Sequence, residues 1–339
     1  MKDVDVIVVG GGPVGLAASI EARLAGLTVA VIEPRKGVID KACGEGLMPG
    51  AVPLLARLGI DPPGMPLRGV SYRTAARRAD HLFRTGTGRG VRRTTLHNAL
   101  ADRAAELGVE RLIGRVEALA QDADSVTANG LRASWLFGAD GLHSTVRRLA
   151  GLERAAPTRR RRFGLTRHFV VEPWTDLIEI HWAARAEVYV TPLEPRLVGV
   201  SVLAAPRTDF DAVIAGIPAL AGRLAGLTSS TGLKGAGPFR QLAARPSSGR
   251  VLLIGDASGY VDAITGEGLR LGFDQARIAV SHILGGAGYD VEWRRTTRDF
   301  RVLTSRLVFA ATSPLRPAIV PLASALPWLY GSVVERLAR

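Results

Sequence analysis

Residues 4–33 read VDVIVVGGGPVGLAASIEARLAGLTVAVIE. Val4 to Val9 is an apolar run broken only by Asp5, fit for a strand buried on both faces of a parallel sheet. It ends in Gly10-Gly11-Gly12-Pro13-Val14-Gly15, after which Leu16 to Ala25 reads as a helix stopped by Gly26. Thr28 to Ile32 is a second strand closing on Glu33. Strand, helix and strand form one βαβ unit. Gly10 permits the turn out of the strand, Gly12 lets the backbone approach a pyrophosphate, and Gly15 allows close packing of helix on sheet. The helix N-terminus then offers free N–H groups and partial positive charge to the phosphates. Glu33, at the tip of the second strand, is placed to accept hydrogen bonds from ribose hydroxyls and to repel a 2′-phosphate. The pattern points to a dinucleotide, FAD or NAD rather than NADP.

Downstream, Arg35 to Gly50, which contains KACGEGLMP (Lys41 to Pro49), is too irregular for a strand and too rich in glycine for a helix. A helix is expected over Ala51 to Leu58, and strands over Val70 to Thr74 and His81 to Arg84. Thr94 to Leu107 carries Leu96, Leu100, Ala104 and Leu107 at helical spacing, with Arg93 just before it. Val109 to Ala118 reads as a strand with a short break, and Asn129-Gly130 as a hairpin turn inside Asp124 to Leu136. From Phe163 to Leu203 the period changes to two. Phe163–Val171, Leu177–Trp182, Val188–Pro192 and Leu197–Leu203 are expected as consecutive antiparallel strands of a separate sheet. Asp211 to Leu224 reads as helical, Val251 to Ile254 as another buried strand, and a long helix begins near Gly268.

The chain has 339 residues with 47% hydrophobic and 22% charged residues, which excludes a disordered chain. Cys43 is the single cysteine, so neither a disulfide framework nor a cysteine-rich zinc site is open to it, and a reducing cytoplasm is the simplest compartment. The opening apolar run is short and broken by glycine, so neither a signal peptide nor a membrane span is expected there. The net charge is +13, and arginine dominates the 44 basic residues because only Lys2, Lys36, Lys41 and Lys234 are lysines. That balance favours anionic partners such as dinucleotides, acyl-carrier thioesters or a membrane surface. No helix-turn-helix, zinc-finger or basic-aromatic signature supports nucleic acid.

GGGPVG with Glu33, GADGLHSTVRR (Gly138 to Arg148) and GDASGYVDAITGEGLRLG (Gly255 to Gly272) occur in that order, together with Arg93 opening a helix. On these residues the chain resembles the FAD-dependent oxidoreductases of the glutathione-reductase type. The resemblance is strongest to their aromatic hydroxylase (group A flavin monooxygenase) and geranylgeranyl reductase branches. The implied fold is α/β, a Rossmann-like FAD-binding domain with a β-meander, an interleaved antiparallel-sheet substrate domain and a helical C-terminus. The expected segments are residues 1–68, 92–156 and 250–300 for FAD, 69–91 and 157–249 for substrate, and 301–339 for the C-terminal helices.

The resemblance implies cofactor contacts at Gly10, Gly12, Pro13, Val14, Gly15, Glu33, Pro34, Arg35, Cys43, Gly44, Arg93, Val116, Asp140, Asp256, Gly266, Gly268 and Leu269. Asp256, at the end of a buried strand, can accept a ribityl hydrogen bond, and burying it without one is costly. Gly266 and Gly268 let backbone pass beside a flat ring, and the helix after them points its positive end at that ring. Asp140 either helps bind the pyrophosphate side or caps the helix from Ser144. Arg93 reaches phosphate or ribityl oxygens or is solvated. Cys43 resembles a cysteine beside the flavin in geranylgeranyl reductases, and is the single catalytic candidate; its plain alternative is a small buried apolar side chain. Glu45 is an acid in the same loop with no role assigned. His168, His181, Trp182 and Tyr189 lie in the substrate sheet and are candidates for lining its pocket, against simple packing. The run Arg159 to Arg162 is a solvated face or a landing site for NADPH phosphates or an acidic carrier. No metal site is expected.

The implied function is a monooxygenase using FAD, NADPH or NADH, and O2 on a hydrophobic, aromatic or polyketide-like small molecule. The alternative is an ene-reductase of the geranylgeranyl reductase type, supported by Cys43-Gly44. A flavin-binding module without turnover stands behind both, and the paired-tryptophan GWxWxIP element of halogenases is absent. Pro317 to Val334 is uncharged but holds three prolines, which argues against a spanning helix and for packing on the core. Peripheral membrane contact there stays open, as does the choice between a monomer and a weak dimer.

Overall fold

In the computed structural model, which describes residues 2–157 and 161–338, the apolar opening run forms the strand Lys2–Val9 at the centre of a parallel sheet. Val6, Ile7 and Val8 are fully buried, each contributing about 1.5–3 kcal/mol relative to an exposed side chain. Val29–Glu33 and then Glu110–Ile113 pair in parallel on one side, Leu131–Gly138 and then Val251–Leu253 on the other. The helices Pro13–Leu24 and Gly268–Ile283 pack together over this sheet. Leu131–Gly138 changes partner along its length. Its first half pairs with Val126–Ala128, which pairs in turn with Leu119–Gln121, and its second half pairs with Val251–Leu253. Asn129 and Gly130 make the meander's tight turn, both at positive φ (50° and 77°), as such a hairpin requires.

The second sheet has seven strands, in the order Lys234–Ala236, Phe163–Phe169, Leu197–Ala204, Ala186–Glu194, Leu177–Trp182, Gly69–Arg73 and Arg78–Leu82. Its four long strands lie where the period-two reading places them, but not side by side in chain order. Phe163–Phe169 pairs with Leu197–Ala204, so the chain returns to lie beside its first strand. Gly69–Arg73 enters parallel to Leu177–Trp182. One face, with Val188, Val190, Val198, Val200 and Val202, is sealed by Phe210, Ile214, Leu220 and Leu224. These last four come from two short helices, Phe210–Ala215 and Pro218–Leu224, because Gly216 and Pro218 divide the expected single helix. The expected strand Val109–Ala118 ends at Ile113.

Beyond the long helix Tyr289–Ala311, the helices Ile319–Ala325 and Pro327–Ala338 bury Val320, Ala323, Tyr330 and Val334 in the same core as Val70, Tyr72 and Trp182. Leu322 and Trp328 face outward. Among the described residues no single helix is long and apolar enough to cross a membrane. Arg159 and Arg160 of the arginine run lie outside the described residues, while Arg162 is buried against Glu187 and Asp262.

Candidate functional site

The two sheets meet around a cavity of about 360 Å³. Gly12, Arg93, Asp140, Asp256 and Gly266 all open onto it from widely separated parts of the sequence. Gly10 leaves the first strand at φ 108°, and a Cβ on Gly15 would fall 1.8 Å from the Gly10 carbonyl oxygen, so the helix lies against the turn. A Cβ on Gly12 would meet nothing within 4 Å, so the start of the helix is bare toward the cavity. Pro13, Val14, Arg35, Cys43, Gly44, Gly268 and Leu269 line the cavity as well.

Five expected contacts stand behind that lining. Gly10 and Gly15 shape the turn. Glu33 is buried, with Oε2 accepting the Gly11 N–H at 2.8 Å and Oε1 accepting Arg35 Nε at 2.7 Å. Burial works to raise its carboxyl pKa, but the Arg35 and Gly11 hydrogen bonds outweigh it and hold the group below the usual carboxylate range. Pro34 follows Glu33 without reaching the cavity wall. Val116 is packed in the apolar core with Ile7, Val9 and Ile32.

Asp140 is committed to a helix start. Its carboxylate accepts the Ser144 hydroxyl at 2.5 Å and the Thr145 and Val146 N–H groups, while Ser144 caps Arg147 N. Asp256 is different. It follows Val251–Leu253 in a short 3₁₀ turn and faces the cavity, and no protein donor reaches its carboxylate among the described residues. Enclosure by protein raises its pKa, against the pull of Lys41, Arg93 and Arg147. Arg93 opens the helix Arg93–Glu106 on the cavity wall with its Nε buried and unpartnered. A bare helix start, a carboxylate without a protein donor and a guanidinium whose Nε is unpartnered share one groove, a set of groups that could hold an elongated polyhydroxylated diphosphate such as FAD.

The Cys43-Gly44-Glu45 loop crosses the sheet-side wall. The Ser201 hydroxyl donates to the Cys43 carbonyl at 3.1 Å and Thr191 donates to the Gly44 carbonyl at 2.9 Å. Thr166 bonds Ser201 Oγ at 2.9 Å. Because a trans peptide sets N–H opposite C=O, the Gly44 N–H is turned away from the sheet. The Cys43 Sγ accepts the Glu45 N–H at 3.4 Å. Glu45, a non-glycine residue at φ 57°, is buried, and neither its strain nor its partners were legible in the sequence.

Of the four expected pocket residues, Tyr189 alone lines the cavity. His168 is on the cavity-side face, but Glu45 covers it. Trp182 is two register rows beyond Tyr189, under the Arg316 guanidinium at 5.3 Å. His181 points to the opposite face and pairs with Glu179 at 2.9 Å. In their place Val70, Tyr72, Ile178, Ile180, Leu203 and Phe239 make the apolar wall. Alternation along Gly69–Arg73 and Leu177–Trp182 could have found the first four.

A family model described as FAD binding domain matches residues 3–284. The chain is 29% identical over 328 residues to a menaquinone reductase of Mycolicibacterium smegmatis, covering 84% of this chain and 78% of that one. It is 30% identical over 315 residues to a 12-dehydrotetracycline 5-monooxygenase/anhydrotetracycline 6-monooxygenase of Streptomyces rimosus, covering 80% of this chain and 61% of the relative. Thus the chain spans about three fifths of the length of that monooxygenase. Among solved structures, the OxyS anhydrotetracycline hydroxylase of Streptomyces rimosus superposes with TM-score 0.71 at 27% identity, covering 99% of this chain and 76% of the other. The p-nitrophenol 4-monooxygenase PnpA of Pseudomonas putida shares the fold, with TM-score 0.79 at 23% identity over 100% of this chain and 99% of its own.

Proposed function

Because the chain belongs to the FAD binding domain family, whose model covers residues 3–284, we propose that it is an FAD-dependent monooxygenase. Its substrate is a hydrophobic aromatic or polyketide-like small molecule, with NADH or NADPH as reductant and O2 as co-substrate. The observation that carries this reading is one continuous cavity, running from the bare helix start at Gly12 past Asp256 to the apolar face of the second sheet. Bound FAD would supply electron transfer from the nicotinamide and delivery of one oxygen atom to the substrate. The chain's own part is to bind, orient and exclude water. The helix start at Gly12 and Arg93 hold phosphate, and Asp256 accepts from ribityl hydroxyls. The hydroxyls of Ser201 and Thr191 fix the Cys43-Gly44 backbone against the ring, and Val70, Ile178, Ile180 and Leu203 keep the reacting end dry.

A second reading, alkene or quinone reduction, is favoured by two observations. The menaquinone reductase is similar along 84% of this chain, and Cys43 and Gly44 lie on the cavity wall. The deciding experiment supplies NAD(P)H and a panel of aromatic and isoprenoid quinone substrates under 18O2 and under anaerobic conditions. Label in the product supports the monooxygenase. A product two hydrogens heavier, formed without oxygen, replaces it with the reductase.

A further inference from the structure

One register row crosses five strands of the second sheet: Thr166, Ser201, Tyr189, Ile180 and Tyr72. All five line the cavity. The row is graded. At one end Ser201 and Thr166 hold the Cys43 loop through their hydroxyls. In the middle, Tyr189 spends its hydroxyl on the Ile264 carbonyl at 2.6 Å, and Ile180 offers only carbon. At the far end stands Tyr72, three strand spacings from Ser201, or about 14 Å.

Tyr72 is held by its ring, tilted against Trp182 at 5.3 Å and against Tyr330 at 4.8 Å between centroids. The neighbouring phenol, Tyr330, donates to the Val70 carbonyl at 3.1 Å. The Tyr72 hydroxyl has no protein partner among the described residues, and Tyr72 is part of the cavity lining. Burial holds its pKa far above the ordinary phenol value, so it remains a neutral donor. A donor left unmatched in an apolar wall costs free energy, and a ligand oxygen placed there recovers it.

We propose that Tyr72 is a substrate-orienting residue, and that the site takes an apolar ring system carrying a hydroxyl, carbonyl or quinone oxygen at the end remote from the Cys43-Gly44 loop. The ring body lies along Ile180 and Tyr189, and the oxygen meets the Tyr72 hydroxyl. This inference deepens the proposed function and rests on the same cavity, though its test does not depend on turnover.

The experiment measures equilibrium dialysis of 2-naphthol and of naphthalene with the flavin-loaded protein, for wild type and Tyr72→Phe. That substitution keeps the ring contacts with Trp182 and Tyr330. One net hydrogen bond is worth a roughly threefold to tenfold preference. The wild type is expected to prefer the naphthol by more than Tyr72→Phe does by that factor, while naphthalene binds both equally. An unchanged preference in Tyr72→Phe, or no binding of either probe, overturns the proposal. If the preference is lost as expected but no labelled oxygen enters any product, the monooxygenase reading falls and the orienting role of Tyr72 stands.

Discussion

His168 Nε2 lies 2.5 Å from Glu45 Oε2, deep beneath the loop that carries Cys43. The other Glu45 oxygen accepts the Arg93 N–H at 2.8 Å, and the Glu45 carbonyl accepts the Val91 N–H. One left-handed glutamate therefore ties the loop, the start of the Arg93 helix and the second sheet together. His168→Ala leaves a buried Glu45 oxygen without its hydrogen-bond partner, a change that costs about 1–3 kcal/mol. The double variant Glu45→Ala/His168→Ala is expected to be less destabilised than the sum of the singles, as read from urea unfolding. Strict additivity would show that the pair is not a working contact.

Gly12 and Gly15 sit three residues apart but face different constraints. Gly12 is extended, at φ −72° and ψ 174°, with open space where its Cβ would go, whereas Gly15 is pressed onto the Gly10 carbonyl. Gly12→Val is therefore expected to fold with wild-type circular dichroism and melting temperature when free of flavin, yet to lose FAD through a filled groove. Gly15→Val is expected to lose stability itself. If Gly12→Val bound FAD with normal affinity, the groove at the helix start would not be the phosphate site.

The glycine turn, the arginine-led helix and the Asp256 strand end were legible because each is written in local sequence. Gly10 demands a left-handed backbone and Gly15 a close approach, and a carboxylate ending an apolar strand stands out. The substrate wall was legible only as alternation. Every residue of Leu177–Trp182 is buried, so parity separates Ile180 from His181 without saying which face is the cavity. His168 has the right parity and still misses the cavity, because Glu45, more than a hundred residues earlier, lies over it. The order of the strands is likewise a long-range property.

Asp256 has a carboxylate that folding alone leaves unmatched. Removing it should spare the flavin-free protein while weakening the cofactor. Asp256→Ala is expected to keep or slightly raise the melting temperature of the flavin-free protein. It should bind FAD about 10- to 100-fold more weakly, the value of a hydrogen bond to a charged group. Equilibrium dialysis of FAD checks the second outcome. Full FAD affinity in this variant would remove Asp256 from the binding site.

Glu267 stands at the N-cap position of the helix Gly268–Ile283, without a side-chain capping hydrogen bond. It is buried, with Oε2 on Arg270 Nε at 2.5 Å and Oε1 without a partner. Burial pushes its pKa up to about 7; Arg270 opposes the rise and Asp274 adds to it. A carboxyl raised in the folded state binds its proton more tightly there than in the unfolded chain, whose value is 4.5. Its contribution to stability is therefore complete below pH 4.5 and is lost as pH rises toward 7, by about 3 kcal/mol across the window. Glu267→Gln cannot release that proton. Melting temperatures measured from pH 5 to pH 8 are expected to fall more steeply for the wild type, with Glu267→Gln the more stable protein at the alkaline end relative to its own value at pH 5. Parallel curves for the two proteins would mean that Glu267 ionises in the folded state as readily as in the unfolded one.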